Sequence, residues 1–178
     1  QQTSGIVDVH HAGTAMRFLT AYFASLEGAS ITLTGSDRMK QRPIQVLVDA
    51  LVELGAEVSY LEVKGFPPLH ISGKQLRGGR LHIRADISSQ YLSALCLVAT
   101  RFSEGLELVF EGALTSMPYL KMTLKLLDAI GVETSLEHKG LRIAPMPKIK
   151  SQSLSVESDW SAASYYYSIV ALSPVGTQ

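Results

Sequence analysis

The sequence predicts an alternating α/β protein built from a repeated unit, and three observations carry that prediction. Apolar residues fall at helical spacing in some segments and in short β-rich runs in others, glycine and proline punctuate the boundaries, and two long segments repeat each other at an interval of about 76 residues. The first copy opens Gly13-Thr14-Ala15-Met16-Arg17, reaches Ile31-Thr32-Leu33-Thr34-Gly35 and ends Leu54-Gly55-Ala56-Glu57-Val58. The second opens Ser88-Ser89-Gln90-Tyr91, reaches Leu106-Glu107-Leu108-Val109-Phe110-Glu111-Gly112 and ends Ile130-Gly131-Val132-Glu133-Thr134. A third opening, Asp159-Trp160-Ser161-Ala162-Ala163-Ser164-Tyr165, follows at a similar interval, and this last copy is expected to be unfinished.

Each element has a local reason. Residues 13–26 place Met16, Phe18, Leu19, Tyr22, Phe23 and Leu26 on a broad apolar surface, and Glu27-Gly28 closes that helix. A strand is expected over 29–34, followed by a polar, basic loop from Ser36 to Arg42. Pro43 suits the first turn of a helix over 43–54, where Val46, Leu47, Ala50, Leu51 and Leu54 keep helical spacing and Gly55 supplies the stop. Strands follow at 58–61 and 69–72, with Pro67-Pro68 blocking helix between them. The second copy repeats this order, with helices near 88–102 and 117–130.

Composition narrows the functional classes. The chain has 178 residues, 46% apolar and 18% charged, enough to bury a core. Sixteen Lys and Arg balance sixteen Asp and Glu, so no net field favours a nucleic acid or an acidic membrane, while a small anionic ligand is compatible. The lone Cys96 cannot form an intramolecular disulfide or a multi-cysteine zinc site, and its apolar helical setting predicts a buried, inert thiol. No basic, apolar leader and no run of eighteen apolar residues occurs, which predicts a soluble protein of cytoplasmic type. The start without Met and the interrupted third copy predict a piece of something longer.

The helix openings carry the chemistry. Free N–H groups at a helix start attract anions, and small or hydroxyl residues let phosphate oxygens approach, so Gly13-Thr14 and Ser88-Ser89-Gln90 suit a phosphate. Ordinary capping explains any one of them equally well. Arg38, Lys40 and Arg42 put three cations just past a strand end, readable as a ligand grip or as a solvated basic turn. The matching turn of the second copy is Thr115-Ser116-Met117-Pro118-Tyr119, whose hydroxyl and phenol suit a polyol ring or phosphate, or else capping and packing.

Five stretches, Ala12 to Arg17, Gly35 to Ile44, Ser88 to Leu95, Ser116 to Tyr119 and Asp159 to Tyr165, resemble in order and spacing the 5-enolpyruvylshikimate-3-phosphate synthase family. The resemblance covers nearly the whole chain. It implies an inside-out α/β barrel of βαβαββ units with helices inside, and a transferase of the shikimate pathway that moves the enolpyruvyl group of phosphoenolpyruvate to shikimate 3-phosphate. By motif, Arg38 is similar to the arginine that grips phosphoenolpyruvate, and Ser88 and Ser89 to the pair that binds the shikimate phosphate. Gln90 resembles the residue touching both substrates, Ser116 a further phosphate contact and Tyr119 one against the shikimate ring. Gly13, with Thr14 beside it, matches the glycine next to phosphoenolpyruvate, where glyphosate competes in this family. The resemblance calls for no cofactor or metal, no nucleic acid and no membrane, and implies a monomer at full length. One position departs from the family: His11 stands where Asn is usual, and a capping role is expected for it.

The lysine, aspartate and glutamate that serve catalysis in the family match no segment, so no catalytic residue is assigned and the chain alone is expected to lack turnover. Residues 1–156 are expected to form most of the shikimate-phosphate-binding domain, and 157–178 a hinge and the first helix of the other domain. Glu157 and Asp159 are assigned to hinge and capping. Three alternatives stand beside this reading. UDP-N-acetylglucosamine enolpyruvyl transferase typically carries a loop cysteine in this domain, whereas Cys96 lies mid-helix. An RNA 3′-phosphate cyclase needs a basic surface. A non-catalytic phosphometabolite-binding domain is the third.

Overall fold

In the computed structural model, which describes residues 3–84, 86–112, 117–137, 139–146, 148, 151, 153–156 and 158–176, the repeat becomes two four-stranded sheets. The first unit runs β1 (Ser4–Asp8), α1 (Gly13–Ala24), β2 (Ser30–Thr34), α2 (Asp37–Lys40), α3 (Gln45–Glu53), β3 (Glu57–Tyr60) and β4 (Leu69–Ser72). The second runs β5 (Gly79–Arg84), α4 (Ser89–Ala99), β6 (Leu106–Glu111), α5 (Met117–Ala129), β7 (Thr134–Glu137) and β8 (Gly140–Ile143). A last helix, α6 (Trp160–Leu172), follows. The sheet orders are β1-β2-β4-β3 and β5-β6-β8-β7. In each, the first pair is parallel across the α1 or α4 crossover, and the remaining pairs are antiparallel. Both units are thus βαβαββ, with the short α2 added in the first.

The strands alternate, so each sheet buries one face. Ile31, Leu33, Leu69 and Ile71 line the inner face of the first sheet; Leu106, Leu108, Phe110, Leu141 and Ile143 line that of the second. The helices pack between them, α1 against α4 and α3, and α4 against α5. Helix α4 buries nearly its whole length, from Tyr91 to Cys96 and again at Val98 and Ala99, because it touches helices on two sides. Cys96 is fully buried there, and loss of water pushes its thiol up to about 12, as expected for an inert core residue. Gly55 and Gly131, at φ 97° and 91°, end α3 and α5 in the left-handed region, where a Cβ is disfavoured.

Several sequence expectations need correction. The basic stretch after β2 is a one-turn helix, because the Ser36 hydroxyl accepts the Met39 amide (3.3 Å) and Asp37 sits in the first turn. Helix α3 begins after Pro43, which lies outside it; α1, α4 and α5 stop one to three residues before their expected ends, β2 starts one residue late, β3 lies one residue earlier than expected, and β4 has its expected bounds. The opening strands β1 and β5, which βαβαββ units require, were not located by periodicity. β1 is an edge strand whose residues are mostly exposed, so it lacks an alternating signature. Helix α6 buries none of its residues, and the Asp159 carboxylate caps it through the Ser161 amide (2.8 Å), the role expected for that acid. Glu157 and Ser116 lie outside the described residues.

Candidate functional site

The site grows from the carboxyl ends of the parallel pair β1 and β2, the edge where α/β sheets place ligands. The chain leaves β1 through His10, a left-handed residue at φ 50° whose amide donates to Asp8 Oδ1 (2.7 Å). The His10 carbonyl accepts the Ser36 amide (3.1 Å), joining this turn to the one after β2. His11 Nδ1 lies 2.8 Å from Ser36 Oγ. That hydroxyl also accepts the Met39 amide (3.3 Å), so one side chain joins the imidazole to the start of α2. His11 is therefore no cap of α1, whose N-cap, Ala12, makes no side-chain bond. It is tied to the cap of α2 instead.

Four cations approach this corner, and among the described residues only one has a carboxylate partner. Lys40 pairs with Glu62 at 2.8 Å. Arg17, Arg38 and Arg42 have no carboxylate partner among the described residues. Arg38 and Arg42 line a cavity of about 370 Å³ with His11 and Met39. Arg17 donates from Nη1 to the Gly13 carbonyl (2.6 Å) and lies over the Tyr91 ring, 5.4 Å from its centroid, while its buried Nε finds no partner among the described residues. Gly13 is where these groups meet. A methyl there would touch the Arg42 guanidinium and come within 2.8 Å of Arg17 Nη1.

The second opening faces the first. Ser88 caps α4 through the Gln90 amide (3.4 Å), and Gln90 Nε2 donates to Thr14 Oγ1 (3.1 Å). Thr14 and Gln90 are separated by 76 residues, the repeat interval itself, so equivalent positions of the two copies touch. Tyr91 Oη donates to the Pro43 carbonyl (2.7 Å), next to Arg42. Gly13, Thr14 and Gln90 are thereby brought together, with Ser88 and Ser89 at the same opening and Arg38 on the adjoining cavity. The half-buried Tyr119 occupies the first turn of α5, and its carbonyl accepts Thr123 Oγ1 (3.2 Å). Sequence reasoning did not single out Arg17 or the particular placement of Arg42. The available signal was the four-residue spacing of Gly13 with Arg17 and of Arg38 with Arg42.

A pair of sheet-backed βαβαββ units with their helices enclosed defines the enolpyruvyl transferase class of α/β fold. A solved EPSP synthase from Acinetobacter baumannii superposes with a TM-score of 0.74 at 22% identity, covering 91% of this chain and 35% of that one. The family model for EPSP synthase (3-phosphoshikimate 1-carboxyvinyltransferase) matches residues 1–177, and the chain belongs to that family. Proteins described as 3-phosphoshikimate 1-carboxyvinyltransferase from Bacteroides fragilis and Pasteurella multocida are 46% and 41% identical, over 95% and 91% of this chain. The chain spans 41% and 38% of their respective lengths.

Proposed function

We propose that this chain forms most of the shikimate 3-phosphate-binding half of an enzyme that transfers the enolpyruvyl group of phosphoenolpyruvate to the shikimate 5-hydroxyl. In this reading residues 1–156 belong to that half, and 157–178 supply a hinge and the first helix of the other. The observation that carries it is the set of guanidiniums at Arg17, Arg38 and Arg42, unpaired with carboxylates and joined through Gln90 and Thr14 to a hydroxyl-lined helix start. A fold that leaves three cations unneutralised in one corner, while pairing Lys40 beside them, is suited to anionic ligands.

The roles follow from the chemistry of the groups. Arg38 grips phosphoenolpyruvate, for which a planar fork suits carboxylate or phosphate better than an ammonium would. Gly13 and Thr14 let that ligand approach the start of α1. Ser88 and Ser89 offer hydroxyls and backbone amides to the shikimate phosphate, Gln90 stands between the two ligands, and Ser116 and Tyr119 complete the sugar-like side. In the reaction the 5-hydroxyl oxygen bonds to C2 of phosphoenolpyruvate as C3 gains a proton and the hydroxyl loses its own. The intermediate then breaks its C2–O bond to phosphate as C3 gives a proton back. The groups that move those protons match no segment of this chain, whose part is to bind and orient. Membership of this family supports a cytoplasmic setting, and the reading includes a monomeric complete protein, which fractionation and light scattering test; no described helix is long and apolar enough to cross a membrane.

The buried Cys96 thiol argues against the UDP-sugar alternative, since a thiol with no access to solvent cannot serve as a loop cysteine. Calorimetry of the complete enzyme tests the proposal. Saturable binding of shikimate 3-phosphate, lost when Ser88 and Ser89 are both changed to Ala, is expected. Saturable binding of UDP-N-acetylglucosamine or of an RNA 3′-phosphate in its place would overturn it.

A further inference from the structure

We infer that Tyr91 is a positioning residue for the anion corner: from the start of α4 its hydroxyl holds the turn next to Arg42, and its ring backs the guanidinium that holds the Gly13 carbonyl. The inference rests on the reading of this cleft as the phosphoenolpyruvate site, and adds to it a residue that acts through others. Tyr91 is buried, 8% exposed, in the first turn of α4, two residues beyond Ser89. Its Oη donates to the Pro43 carbonyl at 2.7 Å, a contact that spans 48 residues of chain and joins the two units. On its other side the Arg17 guanidinium, carried by α1, lies over the ring at 5.4 Å from the centroid.

The Pro43 carbonyl is where such a tether has most effect. Pro43 separates α2, which ends at Lys40, from α3, which starts at Gln45, and a proline has no amide with which to fix its own place. The Arg42 amide before it bonds back to Met39 (3.0 Å) and the Ile44 amide after it to Gly65 (2.9 Å), both within the first unit. No backbone amide among the described residues donates to the Pro43 carbonyl, so the Tyr91 hydroxyl supplies its hydrogen bond, and supplies it from the second unit. Beside it Gln90 Nε2 reaches Thr14 (3.1 Å), so successive residues of α4 hold α1 and the turn before α3 at once. Arg17 is bonded to the Gly13 carbonyl through Nη1, and its buried Nε has no partner among the described residues, so the ring face is its other support. At the repeat interval the matching residue of the first unit is Ala15, too short to make either contact, so the tether runs in one direction only. A hydroxyl-to-carbonyl bond is short and directional, and its loss lets the turn drift by a fraction of an ångström, which loosens the grip of the cavity guanidiniums while leaving Ser88 and Ser89 in place.

Steady-state kinetics of the complete enzyme test this. Tyr91→Phe keeps the ring against Arg17 and deletes only the hydroxyl. It is expected to raise KM for phosphoenolpyruvate by about threefold to tenfold, with kcat and the KM for shikimate 3-phosphate within about twofold. Tyr91→Leu, which removes the ring as well, should raise the phosphoenolpyruvate KM further, and an equal rise in the two variants would overturn the part given to the ring. A tyrosine that only stabilises the fold would lower Tm and move both KM values alike or neither, and either pattern in Tyr91→Phe would overturn the inference. The double variant Arg38→Ala/Arg42→Gln separates the two readings. If it raises the phosphoenolpyruvate KM while Tyr91→Phe does not, the site reading stands and the inference falls; if it leaves that KM unchanged, the site reading falls and takes the inference with it.

Discussion

The two βαβαββ units share a backbone plan and differ in what they present at its corners. At the repeat interval, Gly13 matches Ser89, Thr14 matches Gln90 and Arg17 matches Ser93. In the first unit the helix start is bare and a guanidinium bends back over it. In the second the start carries hydroxyls, and the residue equivalent to Arg17 is a fully buried serine bonded to Thr123 Oγ1 at 2.7 Å, across the contact between α4 and α5. The difference teaches that apolar periodicity sets the architecture of each unit, whereas a handful of polar positions sets its chemistry: charge in one copy, neutral hydrogen bonding in the other.

Exchanging the matched residues should break the comparison most severely. Ser93→Arg puts a charge with no partner into a packed helix contact and should cost more than about 4 kcal/mol, enough to prevent folding, whereas Arg17→Ser should retain the fold at about 1–2 kcal/mol. Urea unfolding followed by circular dichroism measures both, and similar costs would show that the two positions are not differently used. Next in size are matched core truncations. Leu33→Ala and Leu108→Ala, each on a fully buried strand position, should each cost about 2–5 kcal/mol in a single transition, because the shared α1–α4 contact makes the units one cooperative body. Two separated transitions would show that the units unfold independently.

A smaller effect sharpens the comparison on the strands. Tyr60 of β3 occupies the place of Leu136 in β7, pairing with Leu69 as Leu136 pairs with Leu141. Its hydroxyl is buried with no hydrogen-bond partner among the described residues, and burial, with some help from Asp49, raises its pKa to about 12. Tyr60→Phe removes that uncompensated group and should leave stability unchanged or raise it by about 1 kcal/mol. The alkaline limb gives the least effect at neutral pH. Tyr60 and Cys96 both have folded values near 12, above their ordinary values of 10.0 and 9.0. Their contribution is therefore complete below pH 9 and is lost as pH rises toward 12, since the unfolded chain gives up those protons first. Urea midpoints measured from pH 8 to 11 should fall, with a shallower fall in Tyr60→Phe.

Much of this was legible in the linear chain. The helix openings at Gly13 and Ser89, the stops at Gly55 and Gly131 and the buried setting of Cys96 follow from spacing and residue type, because capping, left-handed glycines and apolar faces are local or periodic effects. β1 was not legible, since an edge strand with exposed residues holds its place by backbone pairing to β2 rather than by its side chains. β5 does alternate, with Leu81 and Ile83 inward and Arg80, His82 and Arg84 outward, yet its six residues abut the next helix start without a strong turn signal. For the site, the candidate residues Gly13, Thr14, Arg38, Ser88, Ser89 and Gln90 could be named in advance by type and position, and a capping role could be expected for His11, whereas the helix it serves could not: its ring joins Ser36, the cap of α2, 25 residues away.

By itself the amino-acid sequence determined the repeat, the alternation of helix and strand and the kind of ligand chemistry available, because those depend on residue identity and on distances of a few residues along the chain. Only the tertiary structure decided that Thr14 meets Gln90, that Lys40 is neutralised by Glu62 while Arg38 and Arg42 are left without a carboxylate, and that two guanidiniums converge on Gly13. Those outcomes depend on which elements the packing of α1 against α4 brings within a few ångströms, and charge pairing at that range follows proximity in space rather than order along the chain.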